Sequence, residues 1–246
     1  MTDKTYRETE LDLCSAPDLT LSISSGSADY VGPAPTKMTL IKRVKMTRQC
    51  SSVCHHNDET YVAVRRHGIM KVNKLGEVPS AFDYRGNISG MRFHKGRFYC
   101  SRHRKVLVYG IQNKQQLSSW SVSDGGITWP GCRMCFLGEE LAVADRVNQR
   151  ITLYTTNGEE IRHVVCNAIT RQGSVVICTA EQESIIISDQ PSSTVLKLNL
   201  ESGETEWRTT CVPDPQAVTS DISGYVLVAS KSEVPTLSVL DSKTGK

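Results

Sequence analysis

The feature that most constrains this chain is a pair of short apolar runs that recurs five times. In each copy an alternating run of four or five residues is followed by a polar turn and a second apolar run. The five pairs are 61–65 with 69–72, 98–101 with 106–109, 142–145 with 151–154, 186–189 with 195–198, and 227–230 with 237–240. The residues that end the first runs, Arg65, Ser101, Asp145, Asp189 and Ser230, are 36, 44, 44 and 41 residues apart. Such a period predicts one supersecondary unit per copy, stacked on its neighbours to bury a shared core.

Each copy has room for four strands. A further short apolar segment precedes each pair, at 52–54, 90–92, 131–133, 174–176 and 216–218. A turn signal follows four of the pairs, at 75–77, 157–158, 202–203 and 244–245, as a hairpin to an outer strand requires. No apolar period of 3.6 residues persists, which argues against helical repeats. We therefore predict an all-β fold, a β-propeller of four-stranded antiparallel blades with five repeats, either five blades closed or six-bladed and incomplete.

The third copy carries the most specific signature. Residues 129–161 centre on Val143-Ala144-Asp145, followed by Asn148-Gln149-Arg150 and, at the end, a closing Gly158. This pattern resembles an NHL repeat, whose marks are an apolar-Ala-Asp strand end, an Asn-x-Arg-apolar turn and a final glycine. The fourth copy keeps Asp189, and the other three lack the aspartate. The resemblance covers about residues 48–246, which are similar to the C-terminal propeller of tripartite-motif (TRIM-NHL) proteins. It implies a recognition module, and NHL propellers usually have six blades.

The chain divides by composition into two regions. Residues 1–36 are acidic and rich in Ser, Gly and Pro, which predicts a flexible N-terminal segment; residues 37–246 form the predicted NHL-like propeller. Residues 38–45 precede the first repeat as an isolated strand-like segment that could supply the outer strand missing from the fifth copy. No run is long and apolar enough for a membrane span, and the N-terminus lacks a signal-peptide core, so we expect a cytoplasmic protein with no membrane partner. Its nine cysteines are then expected to be reduced and mostly buried.

The formal net charge of +3 conceals a strong asymmetry. Residues 1–36 have a net charge of −4, residues 37–115 of +13, and residues 116–246 of −6. Between Asp83 and Asp124 there are eight Lys or Arg residues and no acidic residue. A chain with this distribution is expected to form a dipolar domain.

Strand direction predicts where these cations lie. In a four-stranded meander, the hairpins between second and third strands share one end of the propeller with the loops that lead into each first strand. We call this end the basic face. Its predicted ligand-binding residues are Arg48, Arg65, Arg66, Arg102, Arg104, Lys105, Arg146 and Arg150. The opposite hairpins carry Glu159, Glu160, Glu201 and Glu204, so the opposite end is expected to be more acidic.

A cationic face can bind an acidic segment of a protein or the phosphates of single-stranded RNA. We favour a protein partner and keep single-stranded RNA as the alternative. Certain NHL propellers bind RNA on the corresponding face, so the resemblance also implies that alternative. Any role in ubiquitin transfer would come from a separate catalytic module, because the chain has no RING cysteine-histidine pattern.

Catalytic and metal sites are not expected. Cys50, Cys54, His55 and His56, and the pair Cys132 and Cys135, have metal-like spacing, but the latter two lie in or beside a strand, where an odd offset points them to opposite sides. A calcium-dependent lactonase or esterase would gather several carboxylates at the channel, and only Asp145 and Asp189 recur at matched positions. We expect both to cap turns, with Phe93, Phe98 and Tyr99 in the core. No catalytic residue, cofactor or small-molecule substrate is therefore predicted.

Overall fold

The computed structural model describes residues 50–56, 59–64, 68–72, 80–83, 88–122, 134–171, 175–181, 183–220, 224–231 and 236–246. Their regular secondary structure consists of 19 β-strands. No helix in these residues is long and apolar enough to cross a membrane. The N-terminal segment 1–36 and the strand-like segment 38–45 lie outside the described residues.

The strands form five antiparallel sheets, each built from consecutive strands. Blade 1 contains β1 (Cys50–His56), β2 (Glu59–Val64), β3 (Gly68–Val72) and β4 (Ser80–Asp83). Blade 2 contains β5 (Gly90–His94), β6 (Arg97–Arg102), β7 (Lys105–Gly110) and β8 (Gln116–Ser121). Blade 3 contains β9 (Met134–Leu137), β10 (Glu140–Asp145), β11 (Arg150–Tyr154) and β12 (Glu160–Val165). Blade 4 contains β13 (Val175–Glu181), β14 (Ser184–Asp189), β15 (Thr194–Asn199) and β16 (Thr205–Thr209), and blade 5 contains β17 (Pro215–Ser220), β18 (Tyr225–Ser230) and β19 (Thr236–Asp241).

The sheets are arranged in a ring as a five-bladed β-propeller, which confirms the predicted fold class and decides between the two blade counts. The first strand of each blade is innermost, and β1, β5, β9, β13 and β17 follow one another side by side around the axis. Every predicted strand pair is present as the second and third strands of a blade. The segment 131–133, predicted as the inner strand of the third copy, lies outside the described residues, and the described strand β9 starts at Met134 and pairs with β10.

Strand alternation builds the core between the blades. In blade 2, Phe98 packs in a cluster with blade 1, whereas its neighbour Tyr99 packs in a cluster with blade 3. Two further clusters join blades 3 and 4, and blades 4 and 5. Phe98 and Tyr99 are buried and Phe93 is half-buried against the first cluster, so the predicted core role of these rings is confirmed.

The closing glycines of the repeats are also packing sites. Gly158, Gly203 and Gly245 have φ angles of +91°, +74° and +69°, as the turns that follow the third strands of their blades require. A Cβ atom on Gly158 would lie 2.3 Å from the ring of Trp120, and one on Gly245 would lie 2.5 Å from the ring of Trp207. Each tryptophan belongs to the outer strand of the preceding blade, so these turns connect neighbouring blades.

The described cysteines are Cys50, Cys54, Cys100, Cys135, Cys166, Cys178 and Cys211, and all are free thiols. Five are buried, one is half-buried and Cys211 is exposed. Burial raises the pKa of the Cys166 and Cys178 thiols, which keeps both protonated and unreactive at neutral pH. The expected role of most cysteines as small core residues is confirmed for the buried five.

Candidate binding face

Hydrogen bonds show which loops lie at the basic face. The Val122 amide donates to the Arg104 carbonyl at 2.9 Å, the Cys166 amide to the Gln149 carbonyl at 2.7 Å, and the Lys231 amide to the Asp214 carbonyl at 3.1 Å. Each bond joins a second-to-third hairpin to a segment that follows an outer strand and leads into the next blade. The predicted grouping of these loops at one end is therefore correct.

The hairpin of blade 2 carries the densest charge. Arg102 pairs with Lys105 at the end of β6 and β7, leaving His103 and Arg104 as the two turn residues. His103 has a φ of +51°, and Arg104 and Lys105 are exposed while Arg102 is half-buried. Four consecutive side chains that can carry positive charge thus form this hairpin tip.

The hairpin of blade 3 is organised by Asp145. Its Oδ1 accepts from the Val147 amide at 3.1 Å and the Asn148 amide at 3.2 Å, and its Oδ2 accepts from the Asn148 side chain at 2.6 Å. This bonding confirms the expected turn-capping role. Arg150 Nε lies 3.5 Å from Asp145 Oδ2, so the carboxylate partly balances the positive charge of Arg150. Arg146, at the start of the turn, is half-buried.

Asp189 acts differently from its counterpart in blade 3. Its carboxylate accepts from the Thr170 amide at 3.2 Å, from Thr170 Oγ1 at 2.8 Å and from Ser192 Oγ at 2.6 Å. Thr170 belongs to the loop between blades 3 and 4, so Asp189 ties this loop to its own blade instead of capping its own turn through backbone amides. The expectation that Asp189 caps its turn through the backbone amides after the strand was wrong: within that turn it accepts from Ser192 Oγ, and its amide donor is Thr170, which only the folded ring brings to it.

Three of the eight predicted residues, Arg48, Arg65 and Arg66, lie outside the described residues. The other five lie on two adjacent hairpins at the basic face. Two exposed cations at this end were missed. Arg171, in the loop leading into blade 4, donates from Nε to Gln149 Oε1 at 3.2 Å, and Gln149 Nε2 donates to the Ile169 carbonyl at 2.7 Å.

The second missed cation, Lys231, reveals a pattern around the ring. The residue directly after the end of each first run is Arg66, Arg102, Arg146, Gln190 or Lys231, so it is basic in four copies of five. The described members open the second-to-third turns of four blades, and Lys231 is exposed. This recurring basic position of the repeat is the sequence signal that identifies Lys231.

The acids at the basic face are mostly turned inward. Among the described residues of its hairpins and leading loops, they are Asp145, Asp189 and Asp214, of which the first two are buried and the third is half-buried. Asp214 Oδ1 accepts from the side-chain Nε2 of Gln216 at 3.1 Å. Among the charged side chains that the structure describes at this end, solvent therefore meets mainly cations.

Charges at the opposite end are more often paired. Lys95 Nζ lies 2.5 Å from Glu139 Oε1, and His94 Nε2 lies 3.4 Å from Glu139 Oε2. The hydrogen bond from Lys95 holds the pKa of Glu139 below its usual value. Lys71 likewise pairs with Glu59, and the predicted acids Glu159, Glu160, Glu201 and Glu204 are exposed on the outer hairpins.

The central channel contains a cation. Arg92 on β5 is 8% exposed; its Nη1 donates to the Met91 carbonyl at 3.1 Å and its Nη2 to the Ile177 carbonyl of β13 at 3.4 Å. Since blades 2 and 4 are not adjacent, the guanidinium bridges the innermost strands. From the sequence, Arg92 is only one of the eight Lys or Arg residues between Asp83 and Asp124.

No three His, Cys, Asp or Glu side chains within the described ranges come together as a metal site would require. Neither a protein-family model nor a curated protein sequence matches this chain.

Proposed function

We propose that this propeller is a non-catalytic recognition module that binds an acidic segment of a protein partner on its basic face. The repeated cation at the start of the second-to-third turns carries the proposal. Arg102, Arg146 and Lys231 occupy equivalent positions in three blades, so an extended acidic segment could contact several of them in succession. The hairpin residues Arg104 and Lys105 and the loop residue Arg171 enlarge this surface.

A protein partner is favoured over single-stranded RNA by the placement of the aromatic rings. RNA-binding surfaces commonly stack unpaired bases on exposed aromatic side chains. Tyr99 is buried, and Trp120 is half-buried beside it, with ring centroids 6.1 Å apart. Among the described residues of the basic-face loops, His103 is the ring exposed at the tip of the blade 2 hairpin, so RNA bound to these residues would otherwise depend on guanidinium planes and phosphate contacts.

The NHL-like pattern of residues 129–161 supports a recognition role of the kind that tripartite-motif propellers have, and a ubiquitin-pathway role would require a separate catalytic module. A calcium-dependent lactonase or esterase is less consistent with the channel. Such a site needs several carboxylate or amide oxygens about 2.5 Å from one point. The Arg92 guanidinium there would repel a divalent cation.

The proposal can be tested by titrating the full chain into two labelled probes, a Glu/Asp-rich peptide and a single-stranded RNA of mixed sequence. Each titration is run at about 50 and 200 mM salt, across which the screening of exposed charges increases strongly. The Arg102→Glu/Arg104→Glu/Lys105→Glu variant tests whether binding uses the blade 2 hairpin.

The expected result is peptide binding that weakens with salt and falls by at least roughly tenfold in the variant, given about 0.5–1 kcal/mol for each exposed charge contact. Tighter binding of RNA than of peptide, with the same loss in the variant, would replace the protein partner by RNA. Failure of both probes to bind the wild type would overturn the assignment of the basic face as a binding surface for extended anionic segments.

A further inference from the structure

Two exposed valines lie together at the tip of blade 3. Val147 is in the hairpin turn and Val165 ends β12, so both are at the basic face, with exposed fractions of 47% and 57%. The other large apolar side chains exposed among the described residues are Leu117 and Ile161, at 46% and 43%. These two lie near the starts of β8 and β12, at the opposite end. Single exposed apolar residues are ordinary, so it is the association of the valines in one tip that indicates a contact surface.

Backbone pairing brings the two valines close together. Arg150 and Val165 are direct partners in the register of β11 and β12, so their side chains point to the same side of the sheet from Cα atoms roughly 5 Å apart. The residues beyond this pair are also joined, because the Cys166 amide donates to the Gln149 carbonyl at 2.7 Å. Val147 lies in the same turn as Gln149. The hairpin tip and the end of the outer strand therefore form one continuous surface.

Hydrogen bonds hold this surface in one conformation. Asp145 Oδ1 accepts from the Val147 amide at 3.1 Å, which fixes the backbone of this valine while its side chain stays exposed. Gln149 Nε2 donates to the carbonyls of Asn167, at 3.3 Å, and Ile169, at 2.7 Å, and so ties the turn to the segment that follows β12. A surface whose parts are already fixed loses little conformational entropy when a partner binds.

Cations surround the two valines. Arg146 and Arg150 belong to the same hairpin, and the exposed Arg171 is hydrogen-bonded to the turn through its Nε at 3.2 Å. The exposed apolar pair at the opposite end has a different setting, since Ile161 directly follows the exposed Glu160. An apolar surface framed by cations is complementary to an apolar side chain that has carboxylates on either side of it.

We propose that the acidic segment bound by the basic face carries a large apolar side chain among its carboxylates, and that this side chain packs on Val147 and Val165. The inference rests on the proposed function and narrows its partner from any acidic segment to one that is both acidic and apolar. The carboxylates contact the cations around the tip, and the apolar side chain removes the exposed surface of the valines from water. Charge attracts the segment, and the apolar contact distinguishes it from other acidic segments.

Two labelled peptides of equal length and net charge test this inference. One consists of Glu and Ser, and in the other a central Ser is replaced by Leu. The Leu peptide is expected to bind the full chain at least about fivefold more tightly, as the burial of one aliphatic side chain allows. The ratio of the two affinities should be the same at about 50 and 200 mM salt, because salt screens charge contacts but not an apolar contact.

The Val147→Ser/Val165→Ser variant is expected to bind the two peptides equally. Leu117→Ser/Ile161→Ser is the matched control, because it removes two similarly exposed apolar side chains from the opposite end, and it should keep the preference for the Leu peptide.

Equal affinities of the wild type for the two peptides would overturn the inference and leave the proposed function intact, and this result needs no variant. A preference that persisted in Val147→Ser/Val165→Ser, or that disappeared in the control variant, would also contradict it. Failure of both peptides to bind would overturn the proposed function itself and this inference with it.

Discussion

The two ends of the propeller are built from the same repeat but use their charged side chains differently. At the opposite end, Lys95 and Glu139 form an ion pair and Lys71 pairs with Glu59. At the basic face, Asp145 and Asp189 are buried and bonded to loop atoms, while Arg104, Lys105, Arg171 and Lys231 are exposed. Among the described residues of the basic face, these two acids are thus structural, and these four cations remain accessible to a partner.

This difference shows how a symmetric scaffold can acquire a directional binding surface. The backbone repeats from blade to blade, but each side chain at a loop can serve packing, turn formation or binding. At the opposite end, Gly158 and Gly245 contact tryptophans of neighbouring blades. Loops with fewer such contacts are more available for recognition.

The largest expected effect is a difference in the free energy of unfolding between variants of the two buried aspartates at the basic face. Asp189→Ala should reduce the free energy of unfolding by about 3 kcal/mol, because it removes a buried carboxylate that accepts three hydrogen bonds and leaves the Thr170 amide without this acceptor. Asp145→Ala should cost about 1–2 kcal/mol, since its partners lie in its own turn. Urea denaturation of both variants provides the comparison, and equal losses would contradict the different roles.

A second comparison concerns the turn glycines at the opposite end. Gly158→Ala should cost about 2–3 kcal/mol, combining positive φ with overpacking against Trp120. Gly203→Ala is the matched control, because its φ is also positive but its nearest neighbour, Val164 Cγ1, would lie 3.4 Å away. It should cost only about 1 kcal/mol. Thermal or urea unfolding measures the difference; a Gly203→Ala loss as large as that of Gly158→Ala would rule out the tryptophan contact as its cause.

A smaller effect is expected when the residue directly after the first run is made basic in the fourth copy, as it already is in the other four. Gln190 is the one neutral residue at this position. Gln190→Lys should tighten binding of the acidic peptide by roughly twofold, about 0.4 kcal/mol, by adding one exposed charge contact. Gln190→Met retains the length of the side chain without its charge and should not tighten binding. Equal affinities of the Lys and Met variants in salt titrations would argue against additive cation contacts around the ring.

The smallest effect is expected at the exposed pairs of the opposite end. Glu139→Gln removes the partner of Lys95, but both side chains are more than half exposed, so the unfolding midpoint should not change measurably. Peptide affinity should also remain at the wild-type value. A clear change in peptide affinity would indicate binding at the opposite end of the propeller and would contradict the assignment to the basic face.

The repeat predicted the architecture because strand alternation and blade length are local properties. The position of the second and third strands followed from runs such as 142–145 and 151–154. The bond from Arg171 to Gln149 and the bridge from Arg92 to Ile177 could not be predicted in the same way. Both join atoms that become neighbours only when the ring is formed. Lys231 could have been identified, because it occupies the same repeat position as Arg102 and Arg146.

The most direct test compares the two ends in one binding measurement. Arg102→Glu/Arg104→Glu/Lys105→Glu reverses three charges at the basic face, and Lys114→Glu/Lys243→Glu/Lys246→Glu reverses three exposed lysines at the opposite end. Both variants change the net charge of +3 by the same amount, so a general charge effect would weaken acidic-peptide binding equally. The predicted result is a loss of at least roughly tenfold for the first variant and little change for the second. Equal losses, or a larger loss for the second variant, would contradict the assignment of binding to the basic face.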